Sequence, residues 1–299
     1  MAPGPSQLRA DQLALLRWTL AGLAGLDSPE VGRFDPLGPA PALPLDRFAA
    51  AGLATGLTAA LAALAGDRLP SGWAARANEQ RAEVAARQRR FAELTPRVLW
   101  ALHDAGVDAV PVKGAVLAGE VWPAPEARPM ADIDVVIPPG QRAAAGAALS
   151  AAGLRPAGTN PWEDTFLAWG DGAVGRTDGE SADHNGKVEL HPGWVERLHN
   201  YLVGDRDRVI GEAAPGELAG APCRRLPPGA LAAQVVGHLS ASVVRAEVRA
   251  LNVVDAVLAL RGLEPAERRR FDALVGGLDA RLAGPGLWLV GALAPAAAP

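Results

Sequence analysis

Cysteine is nearly absent from this chain of 299 residues; Cys223 stands alone. An intramolecular disulfide and a cysteine-based zinc site are thereby excluded, and a reducing compartment fits. Lysine is almost as scarce. Among 29 Lys and Arg residues only Lys113 and Lys187 are lysines, so a chain that uses arginine as its default cation keeps an ammonium at two places. An excess of positive charge is missing too. The net charge of -4 excludes the basic footprint of a general nucleic-acid binder. The N-terminus, MAPGPSQLRADQ, lacks the basic and apolar segments of a secretory signal. One long uncharged run exists, residues 48–65, and its length alone would suit a membrane span. Its Ala and Gly content, without interfacial aromatics or basic clusters at its ends, favours a buried helix instead. The protein is therefore expected in the cytoplasm, off the membrane. What remains, 49% apolar and 21% charged residues, is ordinary for a globular protein with a sizeable core.

Three regions are expected: a helical one over 1–105, a mixed α/β one over 106–200 and a second helical one over 201–299. Leucines recur at helical spacing through 7–25, and the Pro-rich stretch 35–46 breaks the pattern. Asp46 is placed to cap the apolar helix that follows. Residues 72–105 carry apolar positions at three- and four-residue steps, which predicts one or two amphipathic helices stopped by Gly106. The period then changes. VDAVPV (107–112) reads as a strand whose Pro111 suits a sheet edge. A helix is predicted over 114–122, a loop over 123–129, a strand over MADIDVVI (130–137) and a helix over 141–153. Residues 155–186 show no clear period. KVELH (187–191) reads as a strand, and from about 229 onward three stretches carry apolar helical faces. The fold class expected is α/β (α+β), a small mixed sheet between helical regions.

The chemistry lies in the middle region. On a strand, Asp132 and Asp134 share one face while Ile133 and Val135 share the other. Two like charges side by side stay ionised only beside a cation or in water. A divalent ion held by hard oxygen ligands, Mg²⁺ or Mn²⁺, is one reading; a solvent-facing strand end is the other. Three neighbours bear on that choice. Lys113 and Gly114 follow a strand and open a helix, a setting suited to an anion. Arg128, four residues before Asp132, is a candidate clamp for phosphate oxygens. On KVELH, Lys187, Glu189 and His191 share a face opposite Val188 and Leu190, the pattern of a half-buried strand with a polar open side.

In order, VKGAVLAG, ARPMADIDVVI and VELH resemble the signature of a bacterial family of uncharacterised nucleotidyltransferases within the superfamily that has the DNA-polymerase-β-like palm. The resemblance covers roughly residues 46–260 and includes the later GHLSAS and LNVVDAVLAL helices. It implies a nucleotidyltransferase palm over 106–200. It also implies that Asp132, Asp134 and Glu189 are the catalytic and metal-binding acids, with Glu189 as metal ligand or as base. Lys113, Gly114 and Arg128 would hold the triphosphate of an NTP, and the metal would be Mg²⁺ or Mn²⁺. The reaction implied is attack of an acceptor on the α-phosphorus with release of pyrophosphate, the acceptor being a small molecule, a peptide or a protein side chain. The chain departs from the superfamily in having Gly114-Ala115 where Gly-Ser or Gly-Gly is usual.

Other residues carry less. His191 lies on the Glu189 face, to contact phosphate or orient the acid, as Lys187 does beside it. His184 sits in a polar turn, His238 on an apolar helix that has a histidine in the resembling family, and His103 and His199 read as surface residues. Asp255, an acid in an apolar helix, is expected to pair with an arginine such as Arg249. Trp162, Trp169 and Trp194 flank the third strand, where core packing or base stacking would use them. Two other functions stay open: phosphoryl transfer at the same metal site, and a non-catalytic palm acting as regulatory partner, as in a toxin–antitoxin pair. The position of Glu189 relative to the two aspartates separates enzyme from scaffold.

Overall fold

The computed structural model describes residues 14–16, 19–20, 57–65, 69, 71–161, 163–168, 186–193, 211–244, 248–276 and 280–293. The Pro-rich stretch 35–46 with Asp46, and most of the leucine-rich stretch 7–25, lie outside them. Helix α1 (Leu57–Ala65) is the described part of the uncharged run. Among the described residues no helix is long and apolar enough to cross a membrane. Helix α2 (Ser71–Asp104) is one continuous element of 34 residues with Pro96 inside it. Its apolar spacing brings Trp73, Ala77, Phe91, Leu94, Val98, Leu99 and Leu102 into the core, each large side chain contributing about 1.5–3 kcal/mol by leaving water. It stops where Gly106 takes a left-handed φ of 70°, so that Val107 N–H reaches back to the Leu102 carbonyl at 2.9 Å.

The chain then builds a sheet of five strands: β1 (Val110–Val112), β2 (Asp132–Ile137), β3 (Arg155–Asn160), β4 (Glu163–Leu167) and β5 (Lys187–Pro192). Their spatial order is β1-β2-β5-β4-β3. β2 and β5 run parallel; every other pairing is antiparallel. Pro111 sits on an edge strand, where the donor it lacks is not needed. Helix α3 (Gly114–Glu120) follows β1, and α4 (Arg142–Ala151) follows β2. α4 packs on β3 and β5, with Phe166 against its Gly146.

Two findings extend the sequence reading. Residues 155–160 and 163–167, which carry no readable period, form the paired strands β3 and β4, and a second hairpin, β6 (Ala214–Leu218) with β7 (Ala221–Arg225), stands inside the region read as helical. Four helices follow: α5 (Pro228–Val244), α6 (Ala250–Arg261), α7 (Pro265–Gly276) and α8 (Ala280–Leu293). α5 is the hub, packing against the other three. The stretch around 265–282, read as one helix, is thus divided between α7 and α8.

Candidate active site

Register fixes the site before any side chain is considered. Asp132 is paired with Lys187, Asp134 with Glu189 and Val136 with His191 across parallel strands, and paired residues show the same sheet face. Ile133, Val135, Val188 and Leu190 take the other face and are fully buried. Five polar side chains are therefore collected on one face by alternation alone.

Their counter-ions are on the chain. Lys113 Nζ lies 2.7 Å from Asp134 Oδ1, and His191 Nε2 lies 2.9 Å from the same oxygen. Lys187 Nζ lies 2.9 Å from Asp132 Oδ2 and 2.5 Å from Glu189 Oε1. The only two lysines of the chain thus both sit on this acid cluster. Burial works against the Asp134 carboxylate, but Lys113 and His191 outweigh it and hold the carboxyl well below its ordinary range. Burial also opposes the charge on Lys113 and Lys187, and the facing carboxylates overcome it, so both ammoniums are held above their usual value. Glu189 goes the other way. Its own burial, then the charges of Asp134 and Asp132, push it up to about 7, with Lys187 offsetting only part. Three carboxylates face two ammoniums, and Glu189 bears the imbalance. His191 is also buried; Asp134 raises its imidazole above the usual value against that burial, and its Nδ1 has no hydrogen-bond partner among the described residues.

Lys113 reaches Asp134 from a strained backbone, with φ 51° and ψ −127°. This is a region that side-chain-bearing residues rarely occupy and that costs about 1–3 kcal/mol. The next residue has no room for a side chain. A Cβ on Gly114 would lie 2.8 Å from a guanidinium nitrogen of Arg128 and 3.1 Å from Met130 Cγ. Arg128 itself is buried and turned away from open space. Its Nε and one terminal nitrogen donate to Asp255 Oδ1 and Oδ2 at 2.9 and 2.8 Å, and the other terminal nitrogen lies 3.4 Å from the Pro129 carbonyl. Trp122 Nε1 donates to Asp255 Oδ1 at 2.7 Å. The Arg128 loop is held from below as well, by Gln88 of α2 on the Arg128 carbonyl and by Arg81 on Glu126 at 3.0 Å.

A family profile described as uncharacterised nucleotidyltransferase matches residues 45–289. The chain belongs to that family. The solved structure of the antibiotic-resistance factor ANT(2'')-Ia is similar to this nucleotidyltransferase-family chain with a TM-score of 0.41 and 16% identity, over 61% of this chain and 89% of that one. No curated protein matches.

Against the residues expected from the family signature, the structure brings Asp132, Asp134, Glu189, Lys113, Lys187 and His191 together on one face. Ligand atoms of Asp134, Glu189 and His191 lie within 4.8 Å of one another, so a divalent cation fits there on the chemistry of the donors. Asp132 stands outside that group and pairs with Lys187. Arg128, expected at the triphosphate, is committed to Asp255, and that acid takes Arg128 rather than Arg249 as its partner. Gly114, expected to admit phosphate, gives its space to Arg128 and Met130. His103 is exposed and His238 half-buried on α5; His184, His199, Trp162, Trp169 and Trp194 lie outside the described residues. Two residues were missed, Glu163 and Thr165 of β4. Thr165 pairs with Glu189 and donates to Glu163 at 2.9 Å, and the charge of Glu163 is among those that raise Glu189. Their signal was the polar i, i+2 spacing of EDT in a stretch without other periodicity.

Proposed function

We propose that the sheet face carrying Asp132, Asp134 and Glu189 is the active centre of a Mg²⁺- or Mn²⁺-dependent nucleotidyltransferase that moves an NMP from an NTP to a small-molecule, peptide or protein acceptor. The observation that carries this reading is the convergence of Asp134, Glu189 and His191 within 4.8 Å in a chain that belongs to a nucleotidyltransferase family. Asp134 and Glu189 would be the carboxylate ligands of the ion, with His191 beside them, and a bound ion would supply charge stabilisation for the attacking and leaving oxygens.

The chain's own groups do the rest by position and charge. Lys113 rests on Asp134 at 2.7 Å, and its ammonium is the cation placed to meet the phosphates of an incoming NTP. Lys187 does the same from the Asp132 side. Glu189 would hold the ion through one oxygen while the other meets Lys187, and the proton of the acceptor nucleophile passes to water. The nucleophile forms a bond to the α-phosphorus, the bond from that phosphorus to the bridging oxygen breaks, and pyrophosphate leaves with the electron pair. Arg128 acts one step back. It touches Gly114 rather than open space, and it holds the loop before β2 to α6.

Glu189 is the register partner of Asp134 on the same sheet face, which favours an enzyme over a scaffold. Incubation with α-labelled and γ-labelled NTP, Mg²⁺ and a lysate of acceptors tests the reading. Transfer of the α label alone is expected. Transfer of the γ label would make the protein a phosphotransferase, and no transfer of either would sink the enzyme reading.

A further inference from the structure

We propose that Lys187 is the built-in second cation of this site: its ammonium fills the position between Asp132 and Glu189, so that the face takes a single divalent ion, at Asp134, Glu189 and His191. The inference rests on the metal-dependent reading above and deepens it. Asp132 and Lys187 are register partners on parallel strands, and Glu189 follows Lys187 by two residues on the same face. The backbone alone therefore sets a lysine beside both acids, whatever rotamers the side chains take.

Nζ of Lys187 lies 2.9 Å from Asp132 Oδ2 and 2.5 Å from Glu189 Oε1. A divalent ion bridging the same two oxygens would need bonds of about 2.0–2.1 Å for Mg²⁺ and would occupy the volume the ammonium holds. The Lys187 side chain is only 23% exposed, and it bridges two carboxylates, whereas Lys113 meets a single oxygen of Asp134. Glu189 can serve both positions because it has two oxygens: Oε1 meets Lys187, while Oε2 is turned to His191 at 3.7 Å. The remaining donors are two carboxylates, which suit Mg²⁺ and Mn²⁺, and an imidazole. The face then carries one exchangeable cation and one tethered to the chain, and the tethered one is a hydrogen-bond donor as well as a charge.

Titrating the full chain with Mn²⁺, and reading the free ion by electron paramagnetic resonance, tests this without reference to turnover. One tight ion per wild-type chain is expected, and two in Lys187→Met. Asp132→Asn should weaken the binding of the single ion less than Asp134→Asn, which should weaken it at least about tenfold. Two tight ions in wild type would overturn the inference and leave the proposed reaction standing. So would one ion in a folded Lys187→Met, or equal losses in Asp132→Asn and Asp134→Asn. No ion in wild type would overturn both. Should Lys187→Met fail to fold, the wild-type count and the two aspartate variants decide the matter by themselves.

Discussion

The Arg128–Asp255 pair offers the sharpest perturbation. The two residues are 127 positions apart in sequence and join the loop before β2 to helix α6. Both are almost out of water, with Arg128 7% and Asp255 3% exposed. The guanidinium meets the carboxylate through two hydrogen bonds of 2.9 and 2.8 Å, and Trp122 adds a third at 2.7 Å. Removing one partner leaves a buried charge uncompensated, which costs about 3–5 kcal/mol. Arg128→Ala and Asp255→Ala should each lose about that much stability in urea unfolding, a fall in Tm of roughly 10 °C for a chain of this size. The double variant strands no charge, so it should lose less than the two singles added together, with a coupling of about 1–3 kcal/mol. An Arg128→Ala protein with unchanged stability and only a raised KM for NTP would refute this reasoning and return Arg128 to the triphosphate.

Three further outcomes are expected. At Lys113, glycine should make a more stable protein than alanine by about 1 kcal/mol or more, because only glycine adopts φ 51°, ψ −127° without strain; thermal melts showing alanine equal or better would contradict the strain. Mg²⁺ or Mn²⁺ should raise the wild-type melting temperature and a chelator reverse it, with no such response in Asp134→Asn, since an ion bound only by the folded state stabilises by mass action; an equal response in that variant would place the ion elsewhere. The Asp164 carboxyl is held below its ordinary 3.8, first by its hydrogen bonds from Arg142, so it contributes stability above that pH and loses it as the pH falls through its lowered folded-state value. Wild type should exceed Asp164→Asn in stability at pH 6, and the gap should close in acid; a gap that is constant or widens at low pH would show that the pair with Arg142 is not its source.

The parts of the site that lie on half-buried strands were legible because a half-buried strand writes its geometry as a period of two. DIDVVI and KVELH each set apolar residues on one face, so Asp132, Asp134, Lys187, Glu189 and His191 had to share the other once β2 and β5 were neighbours. The identity of the counter-ions was not legible. Sequence spacing said that two aspartates needed a cation, but only register shows that Lys187 stands opposite Asp132 and that Lys113 reaches Asp134. The fate of Arg128 was hidden for a similar reason: nothing local in ARPM points to an acid on a helix 127 residues away. The hairpins were missed because strands such as β3, RPAGTN, are exposed along nearly their whole length and carry no apolar alternation to read. The strands β6 and β7, APGEL and APCRR, lack that alternation too and fell inside the region read as helical. Gly114 was legible as a special position, and the packing of Arg128 and Met130 supplies its cause.

The central claim is that the acid face of β2 and β5 binds an NTP through a metal ion, and it can be tested without knowing the acceptor. Equilibrium binding of an NTP analogue that cannot be cleaved between its α- and β-phosphates should be measured with and without Mg²⁺, for wild type and for Asp134→Asn. Binding that requires the metal in wild type and is lost in the variant is the predicted result. Absence of binding in wild type, or undiminished binding in Asp134→Asn, would contradict it.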